Sequence, residues 1–182
     1  MSKIIYLAFI NGHYPPYWRK LADDLVYCLP FKFDALSLKV NPRLFYSPER
    51  HQYHSTLFLS HILKNIPEDG EKIVGITDVD IYIPILTFLF GEAQFNGRGA
   101  LVSTYRLKNE FYGLPRNDEL LYDRTLKEIL HELGHTFGLV HCIDFECVMN
   151  SSTYVENIDL KQAIFCQSCQ NKIGVRCKEK QT

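Results

Sequence analysis

His131-Glu132-Leu133-Gly134-His135-Thr136-Phe137-Gly138-Leu139-Val140-His141, followed at once by Cys142, is the stretch from which the rest of this chain is read. From Leu126 onward, Ile129, Leu130, Leu133 and Phe137 recur at helical spacing and predict one apolar stripe. His131 and His135 lie on the opposite face, one turn apart, so both imidazoles can reach a single metal ion. Glu132 lies beside them, where its carboxylate can touch a metal-bound water without ligating the metal. That is the mechanics of a helical H-E-x-x-H motif. Gly138 predicts the end of the helix, because glycine tolerates the left-handed backbone that turns the chain. The turn returns His141 towards the same ion as a third nitrogen ligand. Three ligands leave a fourth tetrahedral position for water, the arrangement of a catalytic zinc rather than a structural one. Two histidines at this spacing can also be a solvated helix face; Gly138 and His141, both in register, argue against that.

At 182 residues the chain has the size of one domain with a real core, and 46% apolar residues with 23% charged fit an ordinary globular protein. The net charge of -1 speaks against a nucleic-acid partner, which would favour a basic surface with interleaved aromatics. The same absence weakens the reading of Cys142 to Cys169 as a nucleic-acid-binding zinc ribbon. No apolar run reaches membrane-spanning length, and Ile4 to Ile10 is too short for a signal peptide. Of six cysteines, Cys142, Cys147, Cys166 and Cys169 form C-x4-C and C-x2-C pairs beside the histidine motif. In a reducing compartment that spacing favours metal over disulfides, so a cytoplasmic location and a second, structural zinc are expected. Cys28, inside an apolar stripe, reads as a small core residue, and Cys177 as an outside candidate for a swapped ligand. Lys172 to Lys180 reads as a solvated basic end.

Along the chain, Lys3 to Ile10 predicts a buried strand. A helix with the stripe Trp18, Leu21, Ala22, Leu25 and Cys28 follows, then a strand over Phe31 to Leu38. Strand, helix and strand make a βαβ unit with a right-handed crossover. Asn41 to Tyr53 reads as loop, followed by a helix to about Ile66 and a third strand over Lys72 to Thr77. His51, His54 and His61 read as surface residues. Asp78 and Asp80, just past the third strand, suit turn capping better than calcium binding. Thr87 to Ala93 and Gly99 to Thr104 predict two strands joined by the short turn Gln94 to Arg98, hence antiparallel. Asp118 is the expected N-cap of the helix that carries His131 and His135. Beyond Gly138 the remaining C-terminal part is too small for a sufficient core of its own, and a closed site of four cysteine thiolates would supply the missing stability.

His131 to His141 matches the metzincin zinc signature, and Met149 falls where metzincins carry their Met-turn. With Cys142, Cys147, Cys166 and Cys169, the chain resembles the archaemetzincins. The similarity runs through Gly75 to Asp80, Phe90 to Ala93 and Glu110 to Pro115. Sixteen residues separate Met149 from Cys166 where the family's pattern has seventeen, a difference of loop length. The resemblance implies a metzincin-like α/β (α+β) fold with a mixed five-stranded sheet, one antiparallel edge strand and an active-site helix. Residues 1-138 would form the N-terminal subdomain, and 139-182 a smaller one holding His141, the Met-turn and the four-cysteine zinc. The Thr87 to Ala93 strand would roof the active-site cleft, where an extended peptide can pair along the exposed edge. The expected function is zinc-dependent hydrolysis of peptide bonds by a monomer, with Glu132 as general base, on a peptide or protein substrate. The resemblance leans towards short peptides or aminopeptidase action. The alternative is a silent site that only binds peptides or partner proteins, although such a protein could dispense with Glu132.

Overall fold

Apolar residues at every second position of a strand can face two different layers, and β1 (Ile4–Ile10) uses both. Ile5, Leu7 and Phe9 enter one core, while Ala8 and Ile10 enter the other. The structure, a computed structural model, describes residues 3–12 and 14–177. After β1 come α1 (Trp18–Cys28), β2 (Lys32–Leu38), β3 (Tyr46–Ser47), β4 (Gln52–His54), α2 (Ser55–Leu63) and β5 (Gly70–Thr77). They are followed by β6 (Ile81–Tyr82), β7 (Gly91–Ala93), β8 (Gly99–Ser103), α3 (Asp118–Thr136), α4 (Val155–Leu160) and α5 (Gln167–Ile173).

The main sheet has the order β2-β1-β5-β8-β7. Its first four strands are parallel, and β7 runs antiparallel to β8 in the register Gly91 opposite Val102. This is the mixed five-stranded sheet with one antiparallel edge that the turn at Gln94 to Arg98 implied. α1 and α3 pack with the C-terminal segment on one face, and α2 covers the other.

Several local expectations need correction. The stretch read as loop contains β3 and β4, which join β6 in a separate three-stranded sheet. Only Gly91–Ala93 of the expected edge strand pairs with the main sheet. Leu89 bridges Ile81 instead, because side chains in β4 and in the turn before it hold this strap away. Arg50 and Gln52 both donate to the Thr87 carbonyl, at 3.2 and 2.8 Å. Asn117, not Asp118, caps α3, its side chain accepting from the Leu120 amide at 3.0 Å. Asp118 falls in the first turn, where its charge suits the helix dipole. Asp80, expected to cap a turn, instead takes Nε and Nη2 of Arg106 at 2.7 Å and the Gln52 amide at 3.0 Å. His54 is half-buried against Tyr82 rather than on the surface. Of the basic C-terminal end, Lys172 lies in α5, and residues 178–180 are outside the described residues.

The end of α3 is fastened to the sheet by one buried amine. Lys72 on β5 donates to the carbonyls of Gly97 at 2.6 Å and Thr136 at 3.0 Å, with its Nζ 4.3 Å from the Phe137 ring centre. It satisfies a helix C-terminal carbonyl that would otherwise be orphaned. The Asn96 amide adds a bond to His135 O at 2.9 Å, so the β7–β8 turn and the helix end are locked together. Replacing Lys72 with methionine should lower stability by about 1–3 kcal/mol, since two buried carbonyls lose a charged donor. Thermal melting together with amide exchange at Gly97 and the end of α3 checks this. Unchanged protection there would show that Lys72 does not hold the junction.

Candidate active site

One long helix presents a polar row and an apolar row at once. On α3, Leu126, Ile129, Leu130 and Leu133 enter the core against the sheet. Glu128, His131, Glu132 and His135 occupy the neighbouring face and line a cleft of about 400 Å³. Gly138, with φ of 88°, ends the helix as expected, its amide returning to His135 O at 3.0 Å. The chain then swings back and places His141 beside the other two. The ring centre of His141 lies 5.3 Å from that of His131 and 5.0 Å from that of His135.

Two backbone carbonyls decide how the imidazoles point. His131 Nδ1 lies 2.8 Å from Val148 O, and His135 Nδ1 lies 2.7 Å from Leu139 O. A carbonyl only accepts, so both Nδ1 atoms carry hydrogen and both Nε2 atoms present lone pairs. Those two Nε2 atoms are 3.1 Å apart. Burial holds the His131 pKa well below, and those of His135 and His141 below, the ordinary histidine value, so the rings are neutral. Two facing lone pairs at this distance repel unless a cation lies between them. Ligand nitrogens of the three histidines all fall within 4.8 Å of one another, which fits a single ion.

Glu132 is buried beside this cluster. Burial, reinforced by the charges of Glu128 and Glu92, holds its carboxyl well above the usual range. β7 passes directly over it. A Cβ on Gly91 would fall 2.6 Å from Glu132 Oε1 and 2.7 Å from its Cγ, so only glycine lets the edge strand approach this closely. Beneath the helix, Met149 is fully buried, with its sulfur 2.3 Å from where a Cβ of Gly134 would stand.

The second cluster joins Cys142, Cys147, Cys166 and Cys169, whose sulfurs also lie within 4.8 Å of one another. Cys142 and Cys166 sulfurs are 3.7 Å apart and those of Cys147 and Cys169 3.8 Å. A tetrahedron with zinc–sulfur bonds of about 2.3 Å has edges of about 3.8 Å, so the spacing suits zinc. Cys177 is not part of the cluster; its sulfur contacts the Cys28 carbonyl at 3.9 Å. The two clusters share a backbone, because Cys142 N donates to Met149 O at 2.9 Å and Asn150 Nδ2 to Cys142 O at 2.8 Å.

All eight site residues expected from the sequence are thus brought into two groups and their neighbour Glu132. The sequence reading missed three other cleft residues: Glu128, Ser152 and Lys161. Glu128 was legible, since it precedes Glu132 by one helical turn and must share its face. Lys161 carries no sequence signal and arrives through the fold of the C-terminal segment.

Comparison with known proteins agrees with this geometry. The profile of peptidase family M54 matches residues 34–175. The archaemetzincin of Methanocaldococcus jannaschii is 45% identical over 131 residues, covering 72% of this chain and 71% of that protein. The crystal structure of archaemetzincin from Methanopyrus kandleri superposes with a TM-score of 0.82 at 32% identity, covering 95% of this chain and 94% of that one. A zinc-dependent peptidase from Methanocorpusculum labreanum superposes with a TM-score of 0.79 at 29% identity, covering 93% and 99%. The M54 match spans most of the sequence, and the two metal-ligand clusters fall inside it. The chain therefore belongs to peptidase family M54, the archaemetzincins, and is a zinc metallopeptidase.

Proposed function

We propose that His131, His135 and His141 hold the zinc ion at which peptide bonds are hydrolysed, with Glu132 as the general base. The observation that carries this reading is the pair of Nε2 lone pairs 3.1 Å apart, opening on the cleft beside Glu132. A zinc ion there lowers the pKa of a bound water to about 7 and polarises the substrate carbonyl. Glu132 takes a proton from the attacking water and returns it to the leaving amine. Its raised affinity for protons suits that exchange better than an exposed carboxylate would. β7 presents its unpaired edge above the cleft, and an extended peptide pairs with it as one more strand. The strap from Leu86 to Phe90 continues that wall. Neither end of a peptide is favoured by these contacts, so the aminopeptidase leaning rests on resemblance alone. The four cysteines hold a second zinc, closed to water, that stabilises the segment after Gly138.

Protein purified without added metal should contain about two zinc equivalents by elemental analysis. Cys166→Ser should reduce that to about one and loosen the residues after Gly138 to limited proteolysis. A reproducible single equivalent in the wild type would remove one of the two sites from this account.

Glu132→Ala should keep both metals and its melting temperature while losing turnover by about 10²–10⁴-fold. Cleavage of a mixed peptide library by this variant at the wild-type rate would overturn the general-base role, whereas no cleavage by the wild type would favour a silent binding site.

Gly91→Ala tests the close approach of β7. The added methyl must push the Glu132 carboxylate aside, and kcat should fall by about 10²-fold with zinc content unchanged. Full activity in this variant would mean that Glu132 need not stay where the edge strand holds it.

A further inference from the structure

Buried polar groups are nearly always hydrogen-bonded, so exceptions mark where a ligand belongs. Among the described residues, five buried side-chain atoms have no partner, and Glu92 Oε2, Glu128 Oε1 and Ser152 Oγ belong to residues that line the one cleft. Beside Glu128 lies Lys161, the cleft's single lysine or arginine, with a side chain only 1% exposed. Lys161 follows α4, whose Asp159 is clamped by both Arg124 nitrogens at 2.7 Å, so its backbone is firmly placed.

The ammonium is poorly satisfied. Among the described residues, Lys161 Nζ makes one long hydrogen bond, 3.4 Å to Val148 O, the same carbonyl that receives His131 Nδ1–H. Glu128 Oε1 is 4.0 Å away, beyond hydrogen-bonding distance. Two of the three donors are therefore unused in a site of low dielectric, where a donor is strong if it finds a partner. The placement also works against metal binding, because a cation beside His131 repels a divalent ion, and Glu128 and Glu132 offset only part of that. Burial lowers the Lys161 pKa while these two carboxylates raise it. A buried cation next to a metal site is understandable if negative charge must appear there during the reaction.

We propose that Lys161 is a further catalytic residue, donating a hydrogen bond to the oxygen of the scissile peptide bond as charge develops on it, with Glu128 as its counter-ion. This rests on the peptidase reading above. When the water oxygen bonds to the carbonyl carbon, one water proton passes to Glu132 and the C=O π pair moves to the carbonyl oxygen. Lys161 donates a hydrogen bond to it and keeps its proton. As the C–N bond breaks, the pair returns to re-form the carbonyl, and the amine takes its proton from Glu132. Tyr154, a hydroxyl-bearing residue of the same segment, is 66% exposed and does not line the cleft.

The test uses zinc-loaded full-length wild type, Lys161→Met, Lys161→Gln and Lys161→Arg. A peptide substrate is compared with a phosphinic peptide of the same sequence, whose tetrahedral anion mimics the intermediate. Lys161→Met should lower kcat by about 10²–10³-fold with KM changed less than about threefold. Its affinity for the phosphinic peptide should fall by a similar factor, and Lys161→Arg should recover part of both. Zinc content and melting temperature establish that the variant is intact; if Lys161→Met is not, Lys161→Gln and Lys161→Arg carry the comparison. Equal weakening of substrate and phosphinic peptide, or no change in either, would overturn the proposal and leave Lys161 a structural residue. If the wild type hydrolyses no peptide, the peptidase mechanism fails instead, and the phosphinic-peptide affinities still decide whether Lys161 binds a tetrahedral anion.

Discussion

Two carbonyl groups, Val148 O and Leu139 O, set the orientation on which the candidate active site depends. By accepting from Nδ1 of His131 and His135 they turn both Nε2 lone pairs towards one point. Helical spacing alone puts the two rings on one face, but it leaves each free to rotate and to choose a tautomer. The carbonyls come from the chain that follows the helix. The turn at Gly138 supplies one within four residues, and the return of the chain beneath the helix supplies the other. The geometry of the histidine cluster is thus a product of how residues after the motif fold back on it.

That return path ties the two clusters together. His141 and Cys142 are adjacent, Cys142 is bonded to Met149, and Val148 faces His131. The segment bearing the four cysteines therefore also supplies His141, the Val148 carbonyl that orients His131 and the buried Met149 of the histidine site. This region has no core of its own: Leu139, Val148, Met149 and Phe165 join the cluster built by the sheet, α1 and α3. The proposed zinc on the four cysteines would add stability to this segment and, through these shared bonds, help keep the histidine cluster in shape. On the opposite side the rigid sheet contributes the roof, with Lys72 and Asn96 holding the end of the helix to the β7–β8 turn.

The charges in the cleft are unusual for a protein interior. Glu128 is pushed up to about 7 by burial, and Glu132 is raised by burial and by its acidic neighbours. Such groups are destabilising where they stand, and their concentration around the histidines is the pattern expected where stability has been traded for chemistry. Structural polar groups elsewhere look different. Arg124 meets Asp159, Leu107 O and Asn109 in a full set of short bonds, as does Asp80 with Arg106 and Gln52.

The sequence by itself determined what depends on local periodicity and covalent spacing. The stripe of α3, the turn at Gly138, the three histidines, Glu132 and the two cysteine pairs were all legible, because a helix face or a short turn leaves few alternatives. The parallel strands and antiparallel edge followed from loop length, since parallel neighbours need a long crossover and a short turn can join only antiparallel ones. Tertiary structure decided the rest. Thr87 to Leu89 has the composition of a strand, yet Arg50 and Gln52 draw it off the sheet. Asn117 took the cap from Asp118 because the two are nearly equivalent as caps and their neighbours select between them. Glu128 shares the helical face and could have been noticed. Lys161 could not, because its position beside His131 comes from a segment 29 residues beyond Glu132 that only long-range packing brings back. Contacts of that kind depend on where two distant pieces of chain meet, and no local pattern of residues encodes it.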